Sequence, residues 1–183
     1  MRPNARKQHA YFPALSICIS FVNLLGGLHA GTLRSHGPQE LNQLKQYAAK
    51  FMKAEYTSDR RRLEILYEGL RNKIAHLAYP YVVFDTDTKP TTFQGQPRRR
   101  VTWAIHSSKP RPVIKVSDRP TEYLPRNTPW LVPYDCVIEV GIRGFAKDIV
   151  SSIYGRSGYL RHLRSDRVAK ERFAKCMKDY FPQ

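Results

Sequence analysis

The chain has 183 residues and carries 31 Lys and Arg against 15 Asp and Glu, a formal net charge of +16. With 42% hydrophobic and 11% aromatic residues it is too apolar for a disordered basic tail, so one folded domain with a buried core is expected. The excess of cations favours a polyanionic partner, because counterions are released when Lys and Arg neutralise phosphates, while Cys18, Cys136 and Cys176 are too few and too widely spaced for a disulfide framework, a CxxC pair or a zinc site.

At the N-terminus, Arg2, Arg6 and Lys7 precede an uncharged stretch from Ala10 to Thr32. That pattern would suit a cleaved secretory signal, and a secreted basic protein is one alternative reading. Pro13, Asn23, Gly26, Gly27 and His29 interrupt the stretch, however, and Leu15, Ile19, Val22 and Leu25 recur at helical spacing. The preferred expectation is a buried core helix from about Pro13 to the Gly26-Gly27 pair or slightly beyond, with neither a membrane partner nor secretion, and hence a cytoplasmic protein.

A loop through Gly31, Ser35 and Gly37 leads to a second helix opened by Pro38 and Glu40, with Leu41, Leu44, Ala48, Phe51 and Met52 on one stripe and an end near Tyr56. Thr57, Ser58 and Asp59 are N-cap candidates for a third helix, in which Leu63, Leu66, Tyr67, Leu70, Ile74 and Leu77 form the most regular stripe in the chain; it must stop before Pro80. The texture then changes to short β-prone runs, Tyr81 to Phe84, Val101 to Ile105, Val113 to Val116 and Cys136 to Gly141, among eight prolines that suit loops and edge strands. Helical spacing returns with Phe145, Ala146, Ile149, Val150 and Ile153 up to Gly155 and Gly158, and a last helix from about Ser165 to Tyr180 is expected to turn Val168, Phe173, Met177 and Cys176 inward.

These elements predict a mostly α (α+β) fold: a single domain over 1–183, with a helical core over about 10–79 and 143–181 and a β-rich, Pro-rich insertion over about 80–142. No βα alternation and no GxGxxG or GxxxxGK[ST] loop is present, which argues against a doubly wound nucleotide-binding enzyme. Asp85 and Asp87 read as a turn or strand edge rather than a cation site, and Trp130, among Pro125, Pro129 and Pro133, as a loop anchor.

Chemistry concentrates in Leu70-Arg71-Asn72-Lys73-Ile74-Ala75-His76, late in the third helix. Asn72 and His76 are four apart and share a helix face, with Arg71 one step round and Leu70, Ile74 and Leu77 on another. An imidazole exchanges protons near neutral pH and an arginine fork clamps phosphate oxygens, so the set suits metal-free RNA cleavage. His76 would move the proton, Arg71 would stabilise charge on the phosphate and Asn72 would orient the pair. One histidine serves poorly as both acid and base, so two copies meeting in a symmetric homodimer are expected.

This string resembles the R-N-x-x-x-H motif of the HEPN superfamily, the higher eukaryote and prokaryote nucleotide-binding domains. The resemblance implies a bundle of four to five helices, usually dimeric, that in many members is a metal-independent ribonuclease of toxin-antitoxin or antiviral systems and in others an inactive binding or assembly module. Arg71, Asn72 and His76 match the motif's catalytic Arg, the polar residue after it and its catalytic His. The resemblance implies no cofactor, RNA as the expected partner, and an antitoxin or other protein as a further partner in such systems. Arg60, Arg61 and Arg62 before the motif, Lys73 within it, Tyr79 after it, and Arg98, Arg99 and Arg100 are candidate RNA contacts, with Tyr81 or Trp103 available for stacking. More positive charge runs from Arg161 to Lys178.

Overall fold

Three-to-four spacing of apolar residues is realised first in α1 (Tyr11–Ala30), then in α2 (Pro38–Phe51), the short α3 (Glu55–Ser58) and α4 (Arg62–Leu66), and, after the strands, in α5 (Ile142–Tyr154), α6 (Tyr159–Ser165) and α7 (Arg167–Tyr180). The structure, a computed structural model, describes residues 11–58, 62–67, 82–83, 100–107, 113–117, 121–123, 132–134 and 136–180. Most of these are helical, in agreement with the expected mostly α class.

α1 buries Leu15, Ile19, Val22 and Leu25, the four residues whose spacing marked it as a helix, and packs most extensively on α2. Gly26 permits that contact: a Cβ there would lie 2.9 Å from the backbone of Gln43 and Leu44, so a larger residue would push the two helices apart. Its segment Pro13–Ala30 is long and apolar enough to cross a membrane, yet α1 also packs on α5 and α7 as part of one core. Gly31 ends the helix at φ 87°, a conformation glycine adopts without strain, and its amide donates to the Gly27 carbonyl at 2.9 Å.

The second helix keeps its expected start at Pro38 but stops at Phe51; the turn through Lys53 and Ala54 leads into α3 instead of a continuous helix to Tyr56. Tyr56 is nevertheless buried and donates its hydroxyl to Asp148 of α5 at 2.8 Å, while Lys53 reaches the same carboxylate at 2.6 Å. This buried carboxylate is thus paired and hydrogen-bonded, the condition under which burial is tolerated. Tyr47 of α2 meets Ser152 of α5 at 2.9 Å, and Glu40 accepts from Asn23 of α1 and from Tyr67 beyond α4, the latter at 2.6 Å. Leu63, Leu66 and Tyr67, which open the expected third stripe, are all buried.

Strands β1 (Val82–Val83), β2 (Arg100–His106), β3 (Ile114–Ser117) and β6 (Cys136–Gly141) form one sheet in the order β1-β2-β6-β3, and β4 (Thr121–Tyr123) pairs with β5 (Val132–Tyr134) in a separate ladder. Pro133 lies in that two-stranded ladder, where both strands are edges and a missing amide is tolerated. The sheet is mixed: β1 and β3 pair antiparallel with β2 and β6, while β2 and β6 run parallel, Val101 opposite Cys136 through His106 opposite Gly141. Parallel neighbours need a long crossover, and the stretch carrying β3, β4 and β5 supplies it. Ile138 and Val140 point into the core with Trp103 and Ile105 of β2 packed against it, while Glu139 between them is only half-buried, the period-two pattern of a strand with one buried face. Trp103 is therefore a packing residue rather than a free stacking platform.

Three residues near the C-terminus, Val150, Val168 and Met177, lie off the buried stripes to which spacing assigned them. On α5, Phe145, Ile149 and Ser152 turn inward and Val150 is 55% exposed; it lies five residues past Phe145, on the far side of the helix. The last helix forms close to its expected bounds, as α7, and the short α6 precedes it: the amide of Asp166 donates to the His162 carbonyl at 2.9 Å, ending α6, and its carboxylate accepts from the Ala169 amide at 3.0 Å, capping α7. Ala169 and Cys176 are buried with Phe173 beside them, while Val168, one residue before that stripe, is 53% exposed and Met177, one residue after it, also faces solvent, each about 100° round the helix.

Candidate nucleic-acid interface

Arg71, Asn72, Lys73, His76 and Tyr79 lie outside the described residues, as do Arg60, Arg61, Arg98, Arg99, Tyr81, Asp85, Asp87 and Trp130. Arg62 begins α4 and Arg100 begins β2. Of the residues expected to form the motif-bearing helix, Leu63, Leu66 and Tyr67 are described, and all three are buried.

The densest described positive surface is carried by α6 and α7. Between positions 156 and 180 the chain has eight Lys and Arg and three acidic residues, and Arg156, Arg161, Arg164, Arg167, Lys170, Arg172, Lys175 and Lys178 are all exposed. α7 needs only Ala169, Phe173 and Cys176 to dock, so its remaining circumference is free to carry charge. Arg167 pairs with Glu171 one turn on at 2.8 Å, an exposed contact of little energetic weight.

Where α1, α2, α6 and α7 converge, two histidines face each other. His29, in the last turn of α1, is 5.9 Å from His162 of α6, measured between ring centroids, and is packed edge-on by Phe51 at 5.2 Å and Tyr159 at 6.0 Å. Its Nδ1 is buried and has no hydrogen-bond partner among the described residues. Burial, reinforced by the positive charges of Lys50, His162 and Arg172 and opposed by Asp166, lowers the His29 pKa to about 4. His29 is thus neutral near pH 7 and sits in a locally positive field. The stem of Arg172 lies against the end of α1, where a Cβ on Gly31 would be 3.0 Å from its Cγ.

His162 has two competing neighbours on one nitrogen. Lys50 Nζ approaches Nε2 at 3.0 Å and Asp166 Oδ2 approaches it at 3.5 Å. The ammonium can only donate, so it requires an unprotonated Nε2; the carboxylate can only accept, so it favours a protonated one. The Ala169 amide first, with His162 and Lys50 adding to it, holds the Asp166 carboxyl below its ordinary range, so it is ionised near neutral pH. Chemically, the arrangement is a proton-sensitive cationic cluster beside an aromatic floor, accessible to an anion from the exposed side of Lys50 and Arg172.

Comparison of the chain with protein-family models, curated proteins and solved structures gives no match. Sequence reading passed over His29, Lys50 and His162 because they are far apart in the chain and no short motif joins them. A usable signal did exist: His29 and His162 each fall in the last turn of a helix, where an imidazole interacts favourably with the helix terminus.

Proposed function

We propose that the chain is an HEPN-like RNA-binding protein, built on a bundle of four to five principal helices, that acts as a homodimeric, metal-independent endoribonuclease of the toxin or phage-defence type in the cytoplasm. The observation that carries this reading is the motif Arg71-Asn72-x-x-x-His76, set in a sequence stripe whose opening residues Leu63, Leu66 and Tyr67 are buried. Continued at the same spacing through Leu70, Ile74 and Leu77, that stripe leaves Arg71, Asn72 and His76 off the apolar positions, where an acid-base group and a phosphate clamp are useful. The exposed cations of α6 and α7 support an RNA partner, since backbone neutralisation supplies most of non-specific affinity.

In this mechanism His76 of one copy removes the 2′-hydroxyl proton and His76 of the second protonates the leaving 5′-oxygen, while Arg71 holds the phosphate as charge develops on it. The deciding experiment incubates wild type and His76→Ala with structured and single-stranded RNA in EDTA. Cleavage by wild type, lowered at least about a hundredfold in His76→Ala with RNA binding kept, is the expected result. Equal cleavage by the two proteins, or none by either, would overturn the nuclease and leave the inactive binding module in its place.

A further inference from the structure

We infer that Lys50, His162 and Arg172 form a phosphate subsite for single-stranded RNA whose affinity is coupled to uptake of a proton by His162, a reading that rests on RNA being the partner proposed above. These residues come from α2, α6 and α7, and all three act on the electrostatics of the same buried imidazole, His29. Lys50 and Arg172 are exposed, and the His162 side chain is 17% exposed.

The coupling follows from the contacts on Nε2. Lys50 Nζ lies 3.0 Å from Nε2, a contact that is a hydrogen bond only when that nitrogen carries no proton. When a phosphodiester approaches, its anionic oxygens attract the ammonium away from the ring and favour a proton on Nε2, which can then donate to the phosphate or to Asp166 at 3.5 Å. One proton enters from solvent, no covalent bond changes, and the repulsion between the new imidazolium and Lys50 is offset by the shared anion. Among the described residues, the charged or titratable groups at this seam are His29 on α1, which stays neutral, Lys50 on α2, a cation at His162, Arg172 on α7, a cation acting on His29, and Asp166 at the α6–α7 junction, an anion at His162.

Arg172 extends the subsite because its stem lies against Gly31, two residues beyond His29 at the end of α1, and its positive charge acts on that imidazole. The exposed cations Arg161, Arg164 and Lys175 on the same two helices then continue the path for neighbouring phosphates. Single-stranded RNA is favoured over free phosphate because one such subsite lies within a longer run of positive charge, and a polymer engages several of these groups at once.

The test measures anisotropy of a labelled single-stranded RNA of about 20 nucleotides at fixed salt, with Lys115→Gln on β3 as a charge-matched control away from the cluster. Lys50→Gln and Arg172→Gln are expected to weaken binding about tenfold each and to lower the salt slope by about one, against about twofold or less for the control. Wild-type affinity should rise as pH is lowered from about 8 to about 6, and that rise should disappear in His162→Gln. Thermal unfolding of each variant checks that the fold is kept; the exposed Lys50 and Arg172 carry the result if His162→Gln is unstable.

Variants that bind like the control, a pH-independent wild type, or inorganic phosphate that competes as well per phosphate as the RNA would each overturn the subsite. RNA binding that is lost in Lys50→Gln, from a wild type that cleaves nothing in EDTA, overturns the nuclease and leaves the subsite standing. Intact cleavage with unchanged binding in all three variants overturns the subsite alone.

Discussion

α1 and α7 pack against one another, yet they use their amino acids in opposite ways. α1 buries Leu15, Ile19, Val22 and Leu25 and still shows Ile17 and Phe21 to solvent, at 58% and 52% exposure, so it is apolar on nearly every side. α7 buries only Ala169 and Cys176 and gives the rest of its surface to Arg167, Lys170, Arg172, Lys175 and Lys178 among others. Stability should therefore be concentrated in α1 and ligand affinity in α7, with His29 and Arg172 at the seam where the two purposes meet.

The largest expected effect separates the two helices by stability. Ile19→Ala on α1 removes a fully buried side chain and should destabilise the fold by about 2–5 kcal/mol, whereas Val168→Ala on α7 should change it by about 0.5 kcal/mol or less. Urea unfolding of the two variants checks this. Similar midpoints for both would mean that α7 is as much a core helix as α1 and would undo the contrast.

How far spacing can be trusted differs along the same line. Leu15, Ile19, Val22 and Leu25 identified α1 correctly because a long helix with one continuous stripe keeps its phase, and the same holds for Leu44 and Ala48 on α2. Val168 and Met177 were assigned inward because they are apolar, but the stripe that docks runs through the smaller Ala169 and through Phe173 and Cys176, and a shift of one residue turns a side chain about 100° away from it. The parallel pairing of β2 and β6 was hidden for a related reason: strand direction is set by where the chain returns, and local alternation of apolar residues is identical in parallel and antiparallel strands of this length. Of the binding surface, sequence supplied the amount of charge and its clustering toward the C-terminus. It did not supply the meeting of His29, Lys50 and His162, which depends on the ends of three helices arriving at one place.

A smaller effect tests the seam. His29 has an ordinary value of 6.5 and is lowered to about 4 in the folded protein, chiefly by burial, so between those values the unfolded chain binds the proton that the folded chain refuses. Its contribution to stability is intact above about pH 6.5 and declines as pH falls toward about 4. Because the ring is only partly shielded from solvent, the loss between about pH 7 and about pH 5 should be about 1 kcal/mol. His29→Phe keeps an aromatic ring against Phe51 and Tyr159 and removes the unpartnered Nδ1, so its stability should fall less with acid by that amount while matching or exceeding wild type at neutral pH. Parallel pH profiles for the two proteins would show that His29 is not the group that titrates.

The smallest effect probes whether the exposed charges of α7 hold the helix or serve a ligand. Arg167 and Glu171 form an ion pair one helical turn apart, with side chains 91% and 61% exposed. Solvent screens such a pair, so Glu171→Gln should change unfolding free energy by about 0.5 kcal/mol or less. The same substitution removes one of the three acids between positions 156 and 180 and releases Arg167 from its partner, so RNA binding should tighten about two- to threefold at low salt, with the gain fading as salt is raised. A stability loss larger than the change in affinity would place the pair among the elements that build α7. The opposite order follows if the charge of this helix is held for a polyanion, because a residue that does little for the fold can then still alter the field that a phosphate backbone meets.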